Sequence, residues 1–175
     1  MCPARARTRA VYGPMMAASS MRPVKVDAVI PAPPEVVFAF VSDSRNDPEW
    51  CPNVETVDLV EGDGIAVGTK FRFHQHLDRP GGNRLQFDAD LEITALGESS
   101  ITWLAGDRFQ TREIELRVEP DDAGSKVTQM TRATFRNPPG LARFAYPFLA
   151  RRTFRDQFRH LIAHFDQGAP PVVNR

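Results

Sequence analysis

The sequence predicts an α+β domain in which a curved antiparallel sheet of about seven strands wraps around one long C-terminal helix, with two short helices after the first strand. Three observations carry this. Segments with a two-residue hydrophobic period recur between Val24 and Phe135, separated by clusters of Gly, Pro, Asp and Asn. The interval after the first segment has helical spacing instead. The final stretch, Pro138 to Gln167, changes to a 3.6-residue period over its whole length.

In chain order, Val24, Val26, Ala28 and Ile30 alternate with Lys25 and Asp27 and end at Pro31, as a half-buried strand does. Ala32-Pro33-Pro34-Glu35 opens a helix, because proline is tolerated in a first turn, and Val36, Val37, Phe40 and Val41 make its inner face. Asp43 to Pro52 is a connection with a turn or second short helix, and its Trp50 closes the sheet edge. Val54 to Val60 is a strand, and the glycines from Gly62 to Gly68 form a loop.

An antiparallel meander follows. Phe71, Phe73, Gln75 and Leu77 share one face of a strand, with Lys70, Arg72, His74 and His76 on the other. Asp78 to Asn83 is a hairpin loop by composition. Leu85, Phe87, Ala89, Leu91 and Ile93 alternate with charged or amide residues, the cleanest strand period in the chain. Ile101 to Ala105 carries Trp103. Next, Gln110, Arg112, Ile114, Leu116 and Val118 face one way, and Val127, Gln129, Thr131, Ala133 and Phe135 form the inner set of the last strand.

In the terminal helix Phe154, Phe158, Leu161, Ile162 and Phe165 are spaced as one apolar stripe, with Arg151, Arg152, Arg155, Arg159 and His160 around it. Leu141, Phe144, Ala145, Phe148 and Leu149 form an earlier stripe in a different phase, and Pro147 sits at the slip. Proline removes a donor and clashes with the preceding turn, so a kink or restart is expected there.

At 175 residues, 42% hydrophobic and 25% charged, the chain suits one domain with a sizeable core. The expected division is a disordered tail over 1–22, the domain over 23–167 and a tail over 168–175. Met15, Met16 and Met21 precede the first periodic segment and are alternative starts to Met1; an organellar leader is the other reading of this Arg-rich, acid-free stretch. Lys plus Arg equals Asp plus Glu at 22, and the zero net charge argues against nucleic acid as a partner. No stretch has the length and apolarity of a transmembrane segment. Two cysteines, Cys2 and Cys51, make no disulfide framework, and a cytoplasmic location is expected.

The series Ile30-Pro31-Ala32-Pro33-Pro34-Glu35-Val36-Val37-Phe38, Val41-Ser42-Asp43, Pro48-Glu49-Trp50-Cys51-Pro52 and Val67-Gly68-Thr69 resembles the amino-terminal half of the polyketide cyclase/dehydrase type of the START and Bet v 1 (SRPBCC) superfamily. The resemblance covers about Val24 to Gln167 and implies the helix-grip fold. That superfamily includes cyclases, lipid and quinone carriers and hormone receptors, so the resemblance implies a fold and leaves the activity open. No residue matches a catalytic signature closely enough to carry a role over.

A helix lying across a curved sheet encloses a mostly apolar cavity with a few placed polar groups. On the inward positions the polar residues are Gln75, Gln110, Arg112, Gln129 and Thr131. An unpaired buried polar group costs about 1–3 kcal/mol, so five on a core face must meet one another, water or a ligand, unless the strand-end ones lie at a wet rim. Arg112 is always charged and forks toward a carboxylate, phosphate or phenolate. Phe73, Phe87, Trp103, Phe148 and Phe158 are the aromatic candidates for the cavity lining, against the alternative of ordinary core packing. His74 with His76 and His160 with His164 have metal-like spacing, but the cationic neighbours of the first pair and the lack of a third ligand argue against a metal. No cofactor-binding fingerprint is present.

Three functions fit. The first is binding of a small hydrophobic or aromatic molecule, such as a lipid, quinone or polyketide, in that cavity. The second is a polyketide cyclase or dehydratase, for which no inward base emerges from the alternation, although the loop residues Asp43, Asp78 or Asp107 could reach the mouth. The third is an interaction protein whose basic outer helix face, with Arg143, Arg151, Arg152, Arg155 and Arg159, docks an anionic membrane surface or an acidic partner.

Overall fold

The alternation of apolar with charged residues resolves into eight antiparallel strands of a single sheet. A computed structural model describes residues 18–78, 82–107, 110–136 and 142–168. In order these are β1 (Ala18–Ser20), β2 (Val24–Ile30), α1 (Pro34–Ser42), a 3-10 turn (Ser44–Asn46), α2 (Asp47–Trp50), β3 (Val54–Glu61), β4 (Lys70–Asp78), β5 (Arg84–Leu96), β6 (Ser100–Gly106), β7 (Gln110–Asp121), β8 (Gly124–Arg136) and α3 (Ala142–Asp166). The expected 79–81 hairpin tip, the 137–141 approach to the helix and both outer tails lie outside the described residues.

The sheet runs β1-β8-β7-β6-β5-β4-β3, and β2 pairs with β8 on the edge where β1 does. The order β7 to β3 is a meander, the arrangement that short turns favour. The β7–β8 turn needs a glycine: Gly124 has φ +133°, and a Cβ there would collide with the Ile30 carbonyl. Beside it the Ser125 hydroxyl donates to the Ala32 carbonyl, which ties the start of α1 to the end of the sheet.

The core lies between the sheet and α1, α2 and α3, with Val37, Val41, Ile93, Ile101, Leu116, Val127 and Leu161 excluded from water. α3 packs on β2 and α2. α1 turns Val37, Phe40 and Val41 inward as expected, but Val36 is 42% exposed, outside the face expected for it.

Other expectations are revised by the structure. The sheet begins at Ala18, inside the stretch expected as tail, because the backbone of residues 18–20 pairs with residues 134–136 of β8. Leu77, expected inward, is 56% exposed, while His76 is buried with Nδ1 3.1 Å from Glu55. The register of β4 with β5 is unbroken here, and the neighbouring β3 carries a register shift between Val54 and Thr56, beside Glu55.

α3 is continuous through Pro147 and does not restart. A single continuous helix cannot turn two stripes of different phase inward. At about 100° per residue, Tyr146, Ala150, Phe154, Phe158, Leu161 and Phe165 share one arc, and Phe144, Phe148 and Leu149 fall outside it. The larger stripe decides the rotation: Ala150, Phe154, Phe158 and Leu161 are buried, whereas Phe144 and Phe148 are 84% and 72% exposed. Truncation should register this directly. Phe154→Ala is expected to lower the stability measured by urea denaturation by about 3–5 kcal/mol, and Phe148→Ala to change it by no more than about 0.5 kcal/mol.

Candidate ligand-binding cavity

Small side chains on neighbouring strands make room for the site. Ala105 on β6 and Ala133 on β8 are the register partners of Arg112 on its two sides, and Ala89 on β5 also faces inward. Methyl groups beside a long side chain leave unfilled space. The result is a cavity of about 100 Å³ between the sheet and α2 and α3, with a largely apolar wall that includes Phe73, Leu91, Trp103, Ile114 and Phe154.

Arg112 comes into this space from the middle of the sheet. Its Nε is buried without a hydrogen-bond partner, and the same holds for Trp103 Nε1 and the Tyr146 hydroxyl. Trp103 pairs with Ile114, two residues along β7 from Arg112, which makes the two diagonal neighbours about 7–8 Å apart across the strands. Tyr146, on the inner side of α3, meets Phe135 edge-on at 4.9 Å, and Phe135 pairs with Gln110, two residues before Arg112. Burial pushes the Tyr146 phenol pKa up while the charge of Arg112 pulls it down, so the two groups share one environment. Three buried donors in this part of the fold thus lack a partner, as does one buried acceptor, Gln110 Oε1. Left so, each costs about 1–3 kcal/mol, and at Arg112 an oxygen carrying negative charge is the matching acceptor.

The other inward polar residues make side-chain hydrogen bonds, although Gln110 Oε1 is buried without a partner. Gln157 Nε2 donates to Asn53 Oδ1 at 3.1 Å, and Asn53 Nδ2 donates to Gln75 Oε1 at 3.3 Å, a chain that ties α3 to the sheet. Gln129 Nε2 donates to the Thr131 hydroxyl at 3.2 Å. Gln110 donates to Asp107 through both its backbone and its side chain.

Asp47 stands in the cavity wall near Cys51 and Asn53. Its Oδ1 accepts the Trp50 indole N–H at 3.2 Å. Burial pushes the Asp47 carboxyl well above the usual carboxylate range; the Trp50 bond opposes this and the nearby Asp43 charge adds to it. Burial and the proximity of Asp47 likewise push the Cys51 thiol up, which leaves it a poor nucleophile. Asp43 is itself desolvated, but hydrogen bonds from Arg45 outweigh that and lower its pKa.

Of the residues singled out from sequence, Phe73, Gln75, Trp103, Arg112 and Gln129 line the cavity. Thr131 is fully buried beneath it, Phe158 is buried in a stack with Trp50 at 6.5 Å, and Gln110 and the half-buried Phe87 sit toward the strand ends. Phe148 is a correction: it points away from the cavity because the later stripe sets the rotation of α3. Asp47, Asn53 and Gln157 were missed. Gln157 precedes Phe158 and follows Phe154 by three, so its place on the helix wheel could have found it; Asp47 and Asn53 lie in an irregular connection that gives no periodicity. Neither Asp43 nor Asp78 reaches the wall; they pair with Arg45 and Arg84.

His74 stands between Asp58 and Asp88, which raise its pKa through hydrogen bonds, and not beside cations alone as its strand suggested. His164 stacks on Phe40 at 4.4 Å. Among the described residues no group of three His, Cys, Asp or Glu side chains could hold a metal, and no helix is long and apolar enough to cross a membrane.

Residues 21–166 match the family described as polyketide cyclase / dehydrase and lipid transport. The chain belongs to this family. No curated protein matches it by sequence. In structure it is similar to an uncharacterized protein from Rhizobium leguminosarum (13% identity, 87% of this chain and 99% of that one, TM-score 0.64) and to the protein TTHA0849 from Thermus thermophilus (16%, 85% and 100%, 0.62). It is also similar to a major latex-like protein from Panax ginseng (18%, 84% and 97%, 0.59). At these identities the likeness establishes the fold alone, a helix-grip arrangement.

The Asp47 carboxyl has a consequence for this polyketide cyclase-family domain. Its pKa is raised on folding, so the folded state holds a proton that the unfolded chain releases above its ordinary value of 3.8. Stability from this group is therefore present below that value and lost as pH rises toward the folded-state pKa. Urea midpoints measured against pH should fall over that window in the parent protein, and Asp47→Asn should remove the fall and gain on the parent at neutral pH.

Proposed function

We propose that the cavity binds a small hydrophobic or aromatic molecule, of lipid, quinone or polyketide-like type, by an acidic or carbonyl oxygen placed on Arg112. The observation that carries this is Arg112 in the cavity wall, with its Nε buried and without a hydrogen-bond partner. A protein gains nothing by burying an arginine without a partner, whereas a ligand oxygen would recover the cost on binding. The family description, with its cyclase, dehydrase and lipid-transport members, supports the ligand class. The volume of about 100 Å³ is below the ~300–1,000 Å³ usual for sites that enclose a drug-sized molecule. It suits a ring or a short acyl segment, with any longer part reaching outside or displacing side chains.

Mass spectrometry of the purified protein, native and then denatured, tests for a retained compound. Against that compound, or an aromatic carboxylate chosen from a thermal-shift panel, Arg112→Ala should weaken binding about ten- to a hundred-fold, the range for losing a charged hydrogen bond. Unchanged affinity in that variant would remove Arg112 from the site.

A second reading, a cyclase of the aldol type, is favoured by Asp47. As a carboxylate it would take the proton alpha to a carbonyl, and the electron pair would move onto the carbonyl oxygen at Arg112. The enolate carbon would then bond to a second carbonyl carbon, and the alkoxide formed would recover the proton from Asp47. Because burial favours the neutral acid, turnover by this route would rise with pH as Asp47 ionises. Asp47→Asn should abolish it and keep ligand binding, whereas Arg112→Ala should lose both; turnover undiminished in Asp47→Asn would exclude the residue as the base.

A further inference from the structure

We propose that the outer face of α3 docks on an anionic lipid bilayer, with Phe144 and Phe148 entering the interface and Arg151, Arg152 and Arg155 lying on the lipid phosphates. The geometry points to this in three ways. The five side chains fall within an arc of about 100° at the helical 100° per residue, and all five are exposed. From Phe144 to Arg155 the face spans about 16 Å, apolar at its start and cationic beyond. Such an order of aromatic and arginine residues on an exposed helix face is what an interfacial helix presents.

The charge also lacks a mate. Arg159 is paired with Asp156 at 2.6 Å, but Arg151, Arg152 and Arg155 make no ion pair among the described residues. In a chain with zero net charge, three unpaired arginines on one helix face are a local excess that a surface of phosphates would match. A protein partner is less well served. Phe144 and Phe148 are 84% and 72% exposed and stand out from the helix, and insertion into a bilayer requires no complementary pocket.

The position on the fold adds a consequence. α3 begins at the end of the sheet where β8 finishes and β7 starts, and Tyr146, between the two phenylalanines in sequence, turns inward to Phe135. Docking would therefore bring the Arg112 end of the cavity to the lipid surface, where a hydrophobic ligand could pass between the two. That consequence rests on the cavity reading; the docking itself does not.

Co-sedimentation of the full chain with vesicles tests it, using phosphatidylcholine alone and phosphatidylcholine mixed with phosphatidylglycerol. Binding is expected to the mixed vesicles and to weaken in 1 M salt, where the screening length shrinks to about 3 Å. Each of Arg151→Gln, Arg152→Gln and Arg155→Gln should lower partitioning about five-fold, and Phe144→Ser with Phe148→Ser about ten-fold or more, with urea midpoints unchanged. Val60→Ser, at an exposed position on β3, should have no effect. Equal sedimentation with and without vesicles, or arginine and phenylalanine variants that bind like the parent, would overturn the proposal. So would sedimentation velocity showing a dimer that disperses in Phe148→Ser, which would assign the face to a second copy. Arg112→Ala should bind vesicles normally, so failure of the ligand reading and failure of docking are read separately.

Discussion

Burial of Phe154, Phe158 and Leu161 against the sheet and α2 fixes the rotation of α3, and most other features of the molecule follow from that angle. Each such side chain removed from water contributes about 1.5–3 kcal/mol, so three of them with Ala150 and Phe165 outweigh what the earlier stripe could gain by turning in. Once the angle is set, Tyr146 and Gln157 must face the sheet and Phe144 and Phe148 must face out. The same rotation puts Gln157 within 3.1 Å of Asn53. One packing choice thus supplies a cavity wall, a polar tie across it and an exposed aromatic face.

Inside the cavity the polar groups divide by whether they are satisfied. Gln75, Gln129 and Thr131 are held in side-chain hydrogen bonds and act as structure. Arg112 Nε, Trp103 Nε1 and the Tyr146 hydroxyl are not. The difference matters because satisfied groups resist rearrangement, while unsatisfied ones lower the stability of the empty protein and recover that cost on meeting an acceptor. Asp47 is a third case, a carboxyl in the cavity wall whose desolvation pushes its pKa well above the usual carboxylate range. A cavity with a fixed cation at one place and a carboxyl of raised pKa at another can orient an asymmetric ligand.

How much of this was legible can be argued from particular residues. The alternation in β5, β7 and β8 placed Ala89, Arg112, Gln129 and Ala133 on the inner face correctly, because a strand's two-residue period leaves no freedom once one face is buried. It failed at Leu77 and His76 near the end of β4, where the register with β5 is unbroken, because how far the covering layer extends along a strand leaves no trace in its alternation. It failed at Phe148 because two stripes of comparable hydrophobicity compete for one orientation, and the sequence shows both without showing the surface they compete for. Asp47 went unrecognised since a one-turn helix has too few residues to display a period.

The sequence by itself determined the α+β class, the order of the elements, the family resemblance and the inward set of the central strands, all of which depend on local spacing and turn chemistry. Only the tertiary structure decided which inward polar groups find partners, which stripe of α3 is buried and that Asp47 reaches the cavity. Those outcomes depend on distances between residues far apart in the chain, such as Gln157 to Asn53 or Tyr146 to Phe135, and a one-dimensional period holds no information about them.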